Sequence, residues 1–186
     1  MQEQPVSPAV ATFEVTSANT PPGSLMVNNT ELVVMHQERL WLLDVPASVA
    51  PLLAAKNVTS AALLLPERLR LEPAEVNLLT ARAGLLCQMG FDVVLSNQVL
   101  IIRAVPQLLQ GTPLSHVLPM WWSGWPAQTE LTLLWQQLLQ LLLSRQLLSL
   151  HLLLQTEAGL LQQPEHWCAV PVDLTGARRQ LQEKTQ

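Results

Sequence analysis

The chain has 186 residues, 49% of them apolar and only 13% charged, with a formal net charge of -4 and a pI near 5.5. That length allows one good core or two small lobes sharing a chain, and the composition excludes an intrinsically disordered protein. A free-standing nucleic-acid binder is also disfavoured, because phosphate neutralisation needs a basic surface, and so few charges imply that a partner covers part of this one.

Residues 1–22 read as a flexible linker. Pro5, Pro8, Pro21 and Pro22 sit among Ser, Thr and Gln, with neither a long periodic run nor the basic start and apolar core of a secretory signal. From Ser24 the pattern is strand-like. Leu32–His36 and Leu40–Leu43 predict a hairpin joined by Gln37, Glu38 and Arg39. Pro46 opens a short helix through Ala54. Ala61–Leu65 is an apolar run stopped by Pro66, and Leu69 and Leu71 then alternate with Arg68 and Arg70 as a half-exposed strand.

Glu72 and Pro73 start a helix in which Val76, Leu79, Ala83 and Leu86 recur at helical spacing, with Gly90 as its C-terminal cap. Phe91–Leu95 and Val99–Val105 form a second hairpin around Ser96, Asn97 and Gln98. Pro113, Pro119 and Pro126 break the next stretch, where Trp121, Trp122 and Trp125 read as the roof of a small core or as a partner hot spot. Leu131, Leu134, Leu138, Leu141, Leu148 and Leu152 keep helical spacing up to the stop at Pro164. Gln136, Gln137, Gln140, Ser144 and Arg145 interrupt this stretch, so no run approaches the roughly 20 apolar residues of a membrane span. Val170–Leu174 is a last strand, and Thr175 caps a final helix carrying Ala177 and Leu181. Two cysteines, Cys87 and Cys168, suit a reducing compartment rather than a disulfide scaffold.

Taken in order, three segments resemble the C-terminal domain of MutL-type DNA mismatch-repair proteins. They are Leu63-Leu64-Leu65-Pro66-Glu67-Arg68-Leu69-Arg70-Leu71, the helix closing on Gly90-Phe91-Asp92, and Ile102-Arg103-Ala104-Val105-Pro106. The likeness runs from about Ser24 to Lys184 and is specific between residues 61 and 106. It implies an α+β, two-lobed domain. A discontinuous inner dimerisation lobe comes from 23–58 and 145–186, and an inserted outer lobe from 59–144. It further implies a homodimerisation domain that tethers two N-terminal, ATP-binding arms on DNA in the bacterial cytoplasm. The implied partners are a second copy, the mismatch-recognition protein MutS, a strand-nicking endonuclease, a helicase and the sliding clamp. DNA itself would be held only weakly through this domain.

Nuclease-bearing members of that family carry Asp-Gln-His-Ala-x-x-Glu-Arg after the second strand, ligands for a divalent metal that activates water. The matching stretch here is Asp44-Val45-Pro46-Ala47-Ser48-Val49-Ala50-Pro51, which keeps only Asp44 and Ala47. One carboxylate cannot hold a catalytic metal, so Asp44 is expected to be a helix N-cap, and no metal, cofactor or catalytic residue is expected. The rival is a divergent metal-dependent endonuclease using Asp44, His36, His166 and Cys168. Against it, Cys168 among Trp, Ala and Val reads as a small core residue. His116 and His151 are isolated in Leu-rich contexts. No glycine-rich phosphate loop or Gly-x-Ser-x-Gly elbow occurs.

Two further sites follow from the resemblance. Ala61-Ala62-Leu63-Leu64-Leu65-Pro66 lies where relatives carry Gln-x-Leu-Leu/Ile-x-Pro, a motif that docks on the sliding clamp. Leu63, Leu64, Leu65 and Pro66 are the candidate contacts. Ala61 stands in place of the glutamine that fixes the register, and a buried strand is the competing reading. Leucines on more than one face of the helical stretch suggest a dimer seam, with Leu148 and Leu152 as its candidates.

Overall fold

The computed structural model describes residues 24–125, 130–157 and 160–175. The expected linker (1–22), Pro126, Ala177 and Leu181 lie outside them. Three strands come first: β1 (Ser24–Met26), β2 (Glu31–His36) and β3 (Arg39–Asp44). Gln37 and Glu38 alone make the β2–β3 turn, both at positive φ (49° and 62°), the pattern of a type I′ hairpin whose twist matches its strands. Arg39 therefore belongs to β3. Helix α1 (Val45–Ala55) follows at once. The Asp44 carboxylate accepts the Ala47 N–H at 2.9 Å, and Pro46 occupies the first turn, where a missing N–H costs nothing.

The middle of the chain builds β4 (Ser60–Arg70), α2 (Pro73–Gln88), β5 (Asp92–Ser96) and β6 (Val99–Pro106). Helix α2 ends in a Schellman motif. Gly90 takes φ 90° and donates to the Cys87 carbonyl, while the Phe91 N–H reaches Leu86. Asn97 and Gln98 repeat the two-residue turn of the first hairpin, at φ 46° and 63°.

Pro66 does not end its strand. Pairing of β4 with β6 runs from Ser60 to Ala62 and resumes at Glu67, so Leu63, Leu64, Leu65 and Pro66 stand opposite Arg103 alone. The surplus residues arch outward as an extended bulge.

The proline-broken stretch contains α3 (Leu114–Ser123), with Pro119 inside it. Trp121 and Trp122 are each 3% exposed and Trp125 8%, so the cluster is core and not a surface hot spot. Trp121 stacks on Phe91 and meets Trp125 edge-on.

The leucine series then divides. Helix α4 (Leu131–Ser144) closes with Gln146 at φ 57°, and α5 (Leu150–Thr156) follows. Leu134, Trp135, Leu138, Leu139, Leu142 and Leu143 of α4 are all fully buried. This helix packs along α1 and also meets α3, which uses its leucines on several faces inside one chain. The last strand, β7 (Ala169–Pro171), is shorter than expected, and Asp173 accepts the Thr175 N–H just beyond it.

The content is α+β, as expected, with two antiparallel sheets in the orders β1-β2-β3-β7 and β4-β6-β5. The four-stranded sheet thus joins the start of the described chain to its end.

Candidate dimerisation face

Register decides what the four-stranded sheet presents. Leu32 pairs with Leu43, and Val34 with Trp41. These side chains face the core, where Leu32 and Leu43 are fully buried and Val34 nearly so. Alternation turns their neighbours outward. Leu25 pairs with Val33, Val33 with Leu42, and Leu42 with Val170, an aliphatic row across every strand of the sheet. Met35 and Leu40 form a second pair beside it. Leu25 is 46% exposed, Val170 59% and Met35 64%. Val33, Leu40 and Leu42 are half-buried. Antiparallel sheets that face water usually alternate apolar with polar residues; this one is apolar on both faces across its middle. Glu31 and Asp44, paired with each other, supply acidic residues at one border.

Leu148 is 7% exposed, inside its own core. Leu152 is 51% exposed and lines a cleft of about 590 Å3 together with Leu53, Leu108, Leu153 and the ion-paired Lys56 and Glu157. Leu64 and Leu65 are the most exposed large apolar side chains described, at 103% and 81%, which rules out the buried-strand reading of that segment. Leu63 is half-buried, Pro66 exposed.

Of the rival nuclease set, Asp44 and Cys168 are brought together through their backbones: the Asp44 N–H donates to the Cys168 carbonyl at 2.9 Å. Cys168 is exposed rather than a core residue, because it precedes a sheet-edge strand instead of pointing into the interior. His36 packs edge-on against Trp167, whose indole N–H goes to Leu160. Among the described residues, no three or more His, Cys, Asp or Glu side chains are grouped to hold a metal ion. None of their helices is long and apolar enough to cross a membrane.

An α+β domain with one sheet face left apolar and uncovered has the profile of an association module. Residues 25–145 match the model of the MutL C terminal dimerisation domain, and the chain belongs to that family. Membership makes it a MutL-like, self-associating domain of DNA mismatch repair. No curated protein matches the chain.

Proposed function

We propose that this domain homodimerises through the outer face of its four-stranded sheet, and that the dimer tethers two ATPase arms in the MutL manner. The observation that carries the reading is the uninterrupted row Leu25–Val33–Leu42–Val170, with Met35 and Leu40 beside it. A stable seam buries at least about 1,000 Å2 in total and is apolar at its centre. A two-fold contact of one face with itself closes without leaving a free surface. The dimer raises the local concentration of the arms around DNA, which is its physical contribution.

The lobe division follows the same logic. An inner lobe from 23–58 and 145–186 carries the sheet that joins both ends of the described chain, and an outer lobe from 59–144 carries the other sheet. Helix α4, which this division gives to the outer lobe, packs along α1 of the inner one and serves as their shared wall. We further propose that the domain is not a nuclease and works in the cytoplasm of a bacterium. It binds DNA weakly at most. MutS, a strand-nicking endonuclease and a helicase dock on the assembled dimer, and the Leu63–Pro66 arc meets the sliding clamp.

Sedimentation across a concentration series tests the seam. Val33→Glu with Met35→Glu should yield a folded monomer, while Leu152→Glu should leave the dimer intact. Dissociation by Leu152→Glu alone would move the seam to the α5 side, the placement expected from sequence. A wild-type monomer at tens of micromolar would defeat dimerisation altogether.

A further inference from the structure

The three-stranded sheet has its own uncovered face. Helix α2 lies over one side, where Leu79 and Leu86 meet Val93, Leu95 and Leu100. The opposite side is set by register. Arg70 pairs with Val99 and Val99 with Ser96, while Arg68 pairs with Ile101 and Ile101 with Val94. Val94 is 39% exposed, Val99 and Ile101 are half-buried, and Arg68 and Arg70 are exposed. Arg103 follows on β6 and is held by Asp92 at 2.6 Å. No such ion pair engages Arg68 or Arg70 among the described residues. A chain of net charge -4 thus concentrates three of its ten Lys and Arg residues around one aliphatic strip.

We propose that this face docks an acidic segment of a partner protein that also bears aliphatic side chains. Residues two apart on a strand lie about 7 Å apart on one face, so Arg68 and Arg70 present two separate guanidinium forks. Each fork matches a carboxylate in bidentate geometry. The adjoining Val94, Val99 and Ile101 reward apolar side chains set between those carboxylates. Duplex DNA fits poorly. Two unpaired arginines neutralise few phosphates, the aliphatic strip offers a phosphate nothing, and the face has no aromatic ring on which a base could stack. The site lies on the other sheet from the proposed seam and does not depend on dimerisation.

The probe is a short fluorescein-labelled peptide alternating glutamate with valine, titrated into the full chain by anisotropy, with a random-sequence duplex DNA as second probe. Peptide binding should fall about tenfold in Arg68→Glu/Arg70→Glu, weaken with salt, and be largely restored in Arg68→Lys/Arg70→Lys. Sedimentation should return the wild-type mass for both variants, which keeps this outcome separate from that of the seam. The proposal is overturned if the peptide does not bind, if the arginine-to-glutamate variant binds it equally well, or if the duplex binds more tightly through the same two arginines.

Discussion

The hydroxyl of Ser48 accepts the backbone N–H of Cys168 at 2.9 Å and donates to the Asp44 carbonyl at 2.6 Å. Ser48 is the one fully buried polar residue among those described, and it fastens the segment entering β7 to the first turn of α1. A serine early in a helix often bonds back to the preceding turn; here the same oxygen also satisfies a donor far away in the sequence. Ser48→Ala would leave the Cys168 N–H without its partner. Denaturant unfolding should show a loss of about 1–3 kcal/mol. Because β7 supplies Val170 to the apolar row, the dimer should weaken as well, and an unchanged midpoint would show that water replaces the hydroxyl.

Glu75 plays a comparable part in the middle of the chain. One carboxylate oxygen accepts the Glu72 N–H at the start of α2, at 2.8 Å, and the other accepts the Trp122 indole N–H at 2.7 Å. Glu75→Ala removes both bonds and strands the indole in a nearly closed site. The expected cost is again about 1–3 kcal/mol. Glu75→Gln, which keeps an acceptor, should recover much of it, and denaturant unfolding should separate the two variants.

Local chemistry was legible in the sequence, and long-range register was not. The Asp44 cap, the Gly90 terminus and both hairpins follow from residue types within one turn of each other. Pro66 and Pro119 misled for the same reason: each breaks a local rule in a place where the surroundings tolerate it. Pro66 sits in an arc that needs no partner for its nitrogen, and Pro119 sits in a helix whose Trp121 and Trp122 are locked in the core. The apolar row was hidden because Leu25, Val33, Leu42 and Val170 meet only through strand pairing. The available signal was the unbroken run Leu32-Val33-Val34-Met35, which marks a strand covered on both faces.

Asp44 should matter for stability and not for catalysis. Its carboxylate is engaged as a helix cap, and among the described residues no three or more His, Cys, Asp or Glu side chains are grouped to hold a metal ion. Asp44→Ala should cost about 0.5–2 kcal/mol in unfolding. Incubated with supercoiled plasmid and manganese, wild-type and variant protein should leave the plasmid equally intact. Nicking by the wild type that vanishes in the variant would restore the endonuclease reading.

The Leu63–Pro66 arc turns apolar side chains to solvent. Leu64 is fully exposed and Leu65 nearly so, on a bulge where the chain spends four residues opposite one, Arg103. Such exposure costs the isolated protein the hydrophobic benefit of both side chains, about 1.5–3 kcal/mol each if they were buried. A partner pocket would recover it. Ala61 lacks the amide that would fix the register of this segment, and it is half-buried in the paired part of β4, opposite Val105. Clamp binding by the wild type should therefore be weak, and Ala61→Gln should strengthen it. Leu64→Ala should abolish clamp binding and leave the unfolding midpoint unchanged, since nothing in the fold rests on that side chain. Surface plasmon resonance against a bacterial sliding clamp reads the affinity, and thermal melting reads the stability. If neither substitution alters the affinity, the clamp does not use this arc.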